Sequence, residues 1–146
     1  MSRDVSIFIT AIVGLLVTAT ATGAAPNTAG TATVTVCPSG CDFTSIQDAI
    51  NGSAAPATIN VQAGTYYENK IETNGLPYTI VGETTSDGTL LTIISGEGLD
   101  VDDDSSIFRF KYGETADTVL QDLVITGGTC KVQSGGVWIK DCSPTL

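Results

Sequence analysis

The stretch Cys41–Asn69, CDFTSIQDAINGSAAPATINVQAGTYYEN, decides the fold through a change of period. Phe43, Ile46, Ala49 and Ile50 recur at three-and-four spacing, which predicts a short helix with one apolar face. Thr44 with Gln47 three residues on matches a reciprocal capping box, and Asn51-Gly52 is a helix stop. So short a helix is marginal alone and must lay its apolar face on something. A small-residue linker follows, then a strand pattern over Thr58–Val61, a turn at Gly64 and a second strand pattern from Tyr66 to Glu72.

Outward from that stretch, brief apolar bursts continue to the end of the chain. Thr33–Val36 precedes it; Tyr78–Val81, Leu90–Ile94, Ile107–Phe110, Val119–Thr126 and Val137–Lys140 follow. Gly, Asp and Ser separate them, at the spacing of an all-β domain. A sandwich and a parallel coil both give such spacing. Hairpin signals are few: Asn74-Gly75 is the best, but Pro77 follows at once. Paired β-branched residues such as Ile93-Ile94 and Val124-Ile125 suit a core stacked inside successive coils. The expected class is all-β, a parallel coil capped by one short helix. A β-sandwich adhesion module is the alternative, and antiparallel pairing of Tyr66–Glu72 with Tyr78–Val81 would identify it.

Composition bounds the compartment and the partners. Arg3 and the apolar run Val5–Val17, followed by Ala19-Thr20-Ala21 and Ala21-Thr22-Gly23, read as a secretory signal over residues 1–25. The run is about 13 residues, short of the roughly 20 a spanning helix needs, so no stable membrane span is expected after cleavage. Residues 26–32 read as a flexible lead-in, and 33–146 as the coil domain. The expected location is secreted or cell surface. With 6 basic against 16 acidic residues and a net charge of -10, nucleic acid is an unfavourable partner. Four cysteines fit an exported chain. Cys37 and Cys41 enclose a tight loop that a disulfide could close, and Cys130 and Cys142 could staple neighbouring coils. Free thiols and a four-thiolate zinc site are the alternatives; only the first pair has zinc-like spacing.

The residues also carry a resemblance. Phe43-Thr44-Ser45-Ile46-Gln47-Asp48-Ala49-Ile50, then Ile59-Asn60-Val61-Gln62-Ala63-Gly64-Thr65-Tyr66-Tyr67-Glu68, then Tyr78-Thr79-Ile80-Val81-Gly82, resemble the opening of the right-handed parallel β-helix proteins of the pectin-lyase-like superfamily. Leu120–Gly128 and Gly135–Leu146 are similar to later coils. The resemblance covers residues 33 to 146 and implies a right-handed parallel β-helix with a capping helix. Members run on for several more coils, so it also implies a truncated domain whose end at Leu146 is covered by remaining coils or a partner. The superfamily holds lyases, hydrolases, esterases and non-catalytic surface proteins, so the implied function is broad. The leading expectation is an exported surface or polysaccharide-interaction role, with no catalytic site in this chain. The alternative is the N-terminal part of a polysaccharide lyase or pectin-esterase-like enzyme.

Candidate site residues are few. The absence of histidine excludes His triads and His metal ligands within the chain. Asp102, Asp103 and Asp104 are weak calcium candidates; they lack the glycine and distal glutamate of an EF-hand, and a solvated turn is the plainer reading. Glu97, Glu114 and Asp117 could add ligands only if folding brings them near. No cofactor other than calcium is expected. Arg109 lies between Phe108 and Phe110, where alternation turns it outward as a surface arginine. Trp138, between Val137 and Ile139, faces away from both and is a candidate platform for stacking on a sugar. Asn51-Gly52-Ser53 matches the acceptor pattern for N-glycosylation; in a prokaryotic source its plainer role is the helix stop.

Overall fold

The computed structural model describes residues 31–100, 105–129, 131 and 135–146. The expected signal segment, residues 1–25, lies outside them, as do most of the lead-in, Asp102–Asp104 and Cys130. The elements run β1 (Ala32–Val36), α1 (Ile46–Gly52), β2 (Ala57–Val61), β3 (Gly64–Tyr67), β4 (Tyr78–Gly82), β5 (Thr92–Ser95), β6 (Phe108–Phe110), β7 (Val119–Gln121), β8 (Val124–Thr126) and β9 (Val137–Ile139). They form three sheets, ordered β1-β2-β4-β7, β3-β5-β8 and β6-β9, and every ladder is parallel. The protein is thus all-β with one short helix.

Apart from β1 and β2, which are joined through α1, successive strands do not pair with each other. After β2 in the first sheet and β3 in the second, Ile71 bridges in parallel to Phe108 in the third. The chain then returns to the first sheet as β4, and β5, β6, β7, β8 and β9 repeat the cycle. Parallel partners need a long connection between them, and here strands of the other two sheets supply it. The antiparallel pairing of Tyr66–Glu72 with Tyr78–Val81 that a sandwich required does not form: β3 pairs with β5, and β4 with β2 and β7.

Register stacks like on like. Ile59, Ile80 and Leu120 are partners across the first sheet, Tyr66, Ile94 and Ile125 across the second, and Ile71, Phe108 and Val137 across the third. Most of these are fully buried, and together with Phe110 and Val61 they make one apolar core. A one-residue slip would turn each column to the outside, so the β-branched pattern fixes the register. Gly82 permits close layering at one edge: a Cβ there would sit 2.1 Å from the Asp122 carbonyl.

Two predicted strands come out differently. Val119–Thr126 splits into β7 and β8 because Asp122 takes φ 57°, a left-handed bend that carries the chain from the first sheet to the second. Tyr66–Glu72 ends as a strand at Tyr67, and Lys70, with φ 58°, turns the chain before Ile71 joins the third sheet.

The helix is placed as predicted, but its cap is not the Thr44–Gln47 box. Ser45 is the N-cap and accepts from Asp48 N–H at 3.2 Å. The Glu68 carboxylate, just past β3, accepts from Ile46 N–H at 2.8 Å and from Gln47 N–H at 3.1 Å. A carboxylate satisfies two otherwise orphaned amides and meets the positive end of the helix dipole, which a neutral glutamine cannot match. Gln47 is thereby released to bond both the amide and the carbonyl of Glu72. Ile46, Ala49 and Ile50 bury the apolar face, and the Tyr78 hydroxyl lies 2.9 Å from the Ile50 carbonyl and 2.8 Å from that of Ser53, closing the other end.

Candidate functional site

The outer face of the third sheet gathers the charge and the indole. Ile71 bridges Phe108, and Phe108 pairs with Val137, so the next residues along form a row: Glu72, Arg109, Trp138. Residues in register point to the same side of a parallel sheet. Lys140 continues the ladder, its N–H donating to the Phe110 carbonyl at 2.9 Å. Arg109, Lys111 and Lys140 are three of the six basic residues in a chain of net charge -10, so this face is set apart electrostatically.

Arg109 does not lie open on the surface as alternation alone predicted. It is 8% exposed, and its Nη2 sits 2.5 Å from Glu72 Oε1. Lys111 Nζ reaches the same oxygen at 3.0 Å and lies 5.2 Å from the centre of the Tyr112 ring. A guanidinium can be buried on a sheet when a carboxylate and packing replace its water. The hydrogen bond to Glu72 holds the Lys111 ammonium above its usual pKa. One carboxylate thus serves two cations, and the trio carries one net positive charge. Trp138 is half-buried beside Arg109. Tyr112 is exposed.

Behind this face, Glu114 is buried at 2% exposure and joins three segments of chain. Its Oε1 accepts from Thr73 Oγ1 at 3.1 Å and Gly75 N–H at 2.9 Å; its Oε2 accepts from Tyr112 N–H at 2.9 Å and lies 3.1 Å from Cys142 Sγ. Burial pushes the Glu114 carboxyl up, but the Cys142 thiol and the Gly75 and Tyr112 amides outweigh it and hold the pKa below the ordinary value. Every neighbour is a donor, so Glu114 is a structural acceptor and no calcium ligand. Among the described residues no three acidic or cysteine side chains converge as a metal site would need.

The cysteines divide. Cys37 and Cys41 form a disulfide with Cα atoms 5.5 Å apart, beside the start of α1. Cys142 carries a free thiol that also approaches the Lys140 carbonyl at 3.0 Å. Its expected partner Cys130 lies outside the described residues. Glu97 and Asp117 are exposed and far from forming a cluster with Glu114.

The sequence points to Arg109 and Trp138, and to Glu114 only as a conditional calcium ligand, but not to Glu72 or Lys111. The signal that would have found Glu72 is the Ile71–Phe108–Val137 register, since it sets Glu72 beside Arg109. No protein-family model matches the chain, and no curated protein or solved structure matches it. Fold and site therefore define a class only: an all-β protein of stacked parallel sheets with a cationic, aromatic lateral face.

Proposed function

We propose that this is an exported right-handed parallel β-helix protein that binds polysaccharide on the third-sheet face, without catalysis there. The cyclic order of the three parallel sheets supports the helix, and the general preference of parallel crossovers for one hand supports its sense. The Cys37–Cys41 disulfide supports an oxidising compartment. Among the described residues no helix is long and apolar enough to cross a membrane.

The observation that carries the binding role is Trp138, half-buried and in register beside a buried Arg109 whose guanidinium is held by Glu72. A rigid indole next to a fixed hydrogen-bonding row is how a protein stacks on a sugar face and orients its hydroxyls. Arg109 is engaged and enclosed, which suits support of the platform better than proton abstraction. Retardation of the protein in native gels cast with soluble pectin, xylan or hydroxyethyl cellulose tests this reading. At least one polymer should retard it, and Trp138→Ala should abolish that. Equal retardation of wild type and variant, or none with any polymer, would sink it.

A further inference from the structure

The face just described leaves one motif unused, at the other end of the stack. We infer that Asn51 is an N-glycan acceptor; the inference rests on the proposal that the chain is exported. Asn51-Gly52-Ser53 closes α1 and its first two residues are exposed, with Ala54 and Pro56 exposed just beyond. Packing accounts for Gly52, where a Cβ would meet the Phe43 ring at 2.6 Å. The Asn51 side chain uses its Oδ1 to accept from Gln47 Nε2 at 3.1 Å, and Nδ2, the atom that would carry a sugar, makes no hydrogen bond among the described residues. A glycan on Nδ2 would leave into solvent without displacing any contact of the folded helix.

The folded geometry also sets when the transfer occurs. The Ser53 hydroxyl, which an acceptor sequence must present, donates to the Ala49 carbonyl at 2.5 Å once α1 is closed. Transfer therefore precedes closure, on the emerging chain. The donor is a lipid-linked oligosaccharide phosphate or pyrophosphate. Asn51 Nδ2 attacks the anomeric carbon and an N–C bond forms. The C–O bond to phosphate breaks, its electron pair leaves with the lipid phosphate, and one amide proton passes to a base of the transferring enzyme.

Peptide mass spectrometry of the protein recovered from the cells that make it tests this, alongside fractionation of those cells. The peptide bearing Asn51 should carry added hexose-type mass in wild type and in Ser53→Thr. That mass should be absent from Asn51→Gln and Ser53→Ala, whether or not these variants fold well, because transfer comes first. Exported protein with an unmodified Asn51 would overturn the acceptor assignment and leave export standing. Protein found only inside the cell, with residues 1–25 retained, would overturn export and the acceptor assignment with it. Sugar persisting in Asn51→Gln would place the acceptor elsewhere and overturn the assignment too.

Discussion

Glu114 offers the sharpest test of how the stack holds together. Its carboxylate faces four donors from three segments: Thr73 Oγ1, Gly75 N–H, Tyr112 N–H and the Cys142 thiol. Glu114→Gln keeps the shape but turns one acceptor oxygen into an NH2 group, so one pair of donors loses its partner. Hydrogen bonds to a charged acceptor contribute about 1.5–3 kcal/mol each, and a buried donor left unmade costs about 1–3 kcal/mol. Two affected bonds, with some relaxation, give a loss of about 2–4 kcal/mol at neutral pH. The pH dependence has a definite sign. The folded pKa is held below its ordinary 4.5, so the stabilisation is full above that value and fades as pH falls through the folded pKa. Glu114→Gln cannot titrate, so the gap between variant and wild type should narrow below about pH 4.5. Urea unfolding followed by the fluorescence of the single tryptophan, Trp138, measures both, since β9 pairs with β6 and its ordering reports the stack. A variant within about 0.5 kcal/mol of wild type at pH 7 would show that the four contacts are not worth what burial implies. A gap that stayed constant to pH 3 would refute the ionised, donor-clamped state.

Three further outcomes are expected. Glu68→Ala should cost about 1–3 kcal/mol and lower the helical circular dichroism signal, since it strips two amides of α1 of their acceptor; the same change at Thr44 should cost under about 0.5 kcal/mol in urea melts. Cys37→Ala/Cys41→Ala should cost about 2 kcal/mol by thermal melting, because the closed loop spans a sequence separation of only four and chain-entropy stabilisation grows with loop length.

Much of the fold is legible where the residues speak for themselves. The face of α1 and the strands at Ala57–Val61 and Tyr78–Gly82 follow from three-and-four and two-residue periods, which local packing enforces. The split at Asp122 is not legible, because a left-handed bend by a non-glycine residue is held by tertiary contacts rather than announced by composition. The helix cap is misread for a related reason: a local Thr–Gln box competes with a carboxylate 22 residues away from Ile46, and the charged acceptor wins. Arg109 shows the same limit at the site. Alternation gives the side it points to, but its burial depends on Glu72, 37 residues earlier, brought alongside only by register. The place of Trp138 beside Arg109 likewise comes from the pairing of β9 with β6.

The fastening of α1 has a consequence for the order of events in synthesis. Its amides are held by Glu68, its Gln47 by Glu72, and its last carbonyls by Tyr78, all of them downstream. Seven residues cannot persist as a helix in water unaided. An element made early, second only to β1, is therefore among the later ones to settle. Until the ribosome has released Tyr78, this end of the nascent chain remains an open strand for export and processing enzymes to handle.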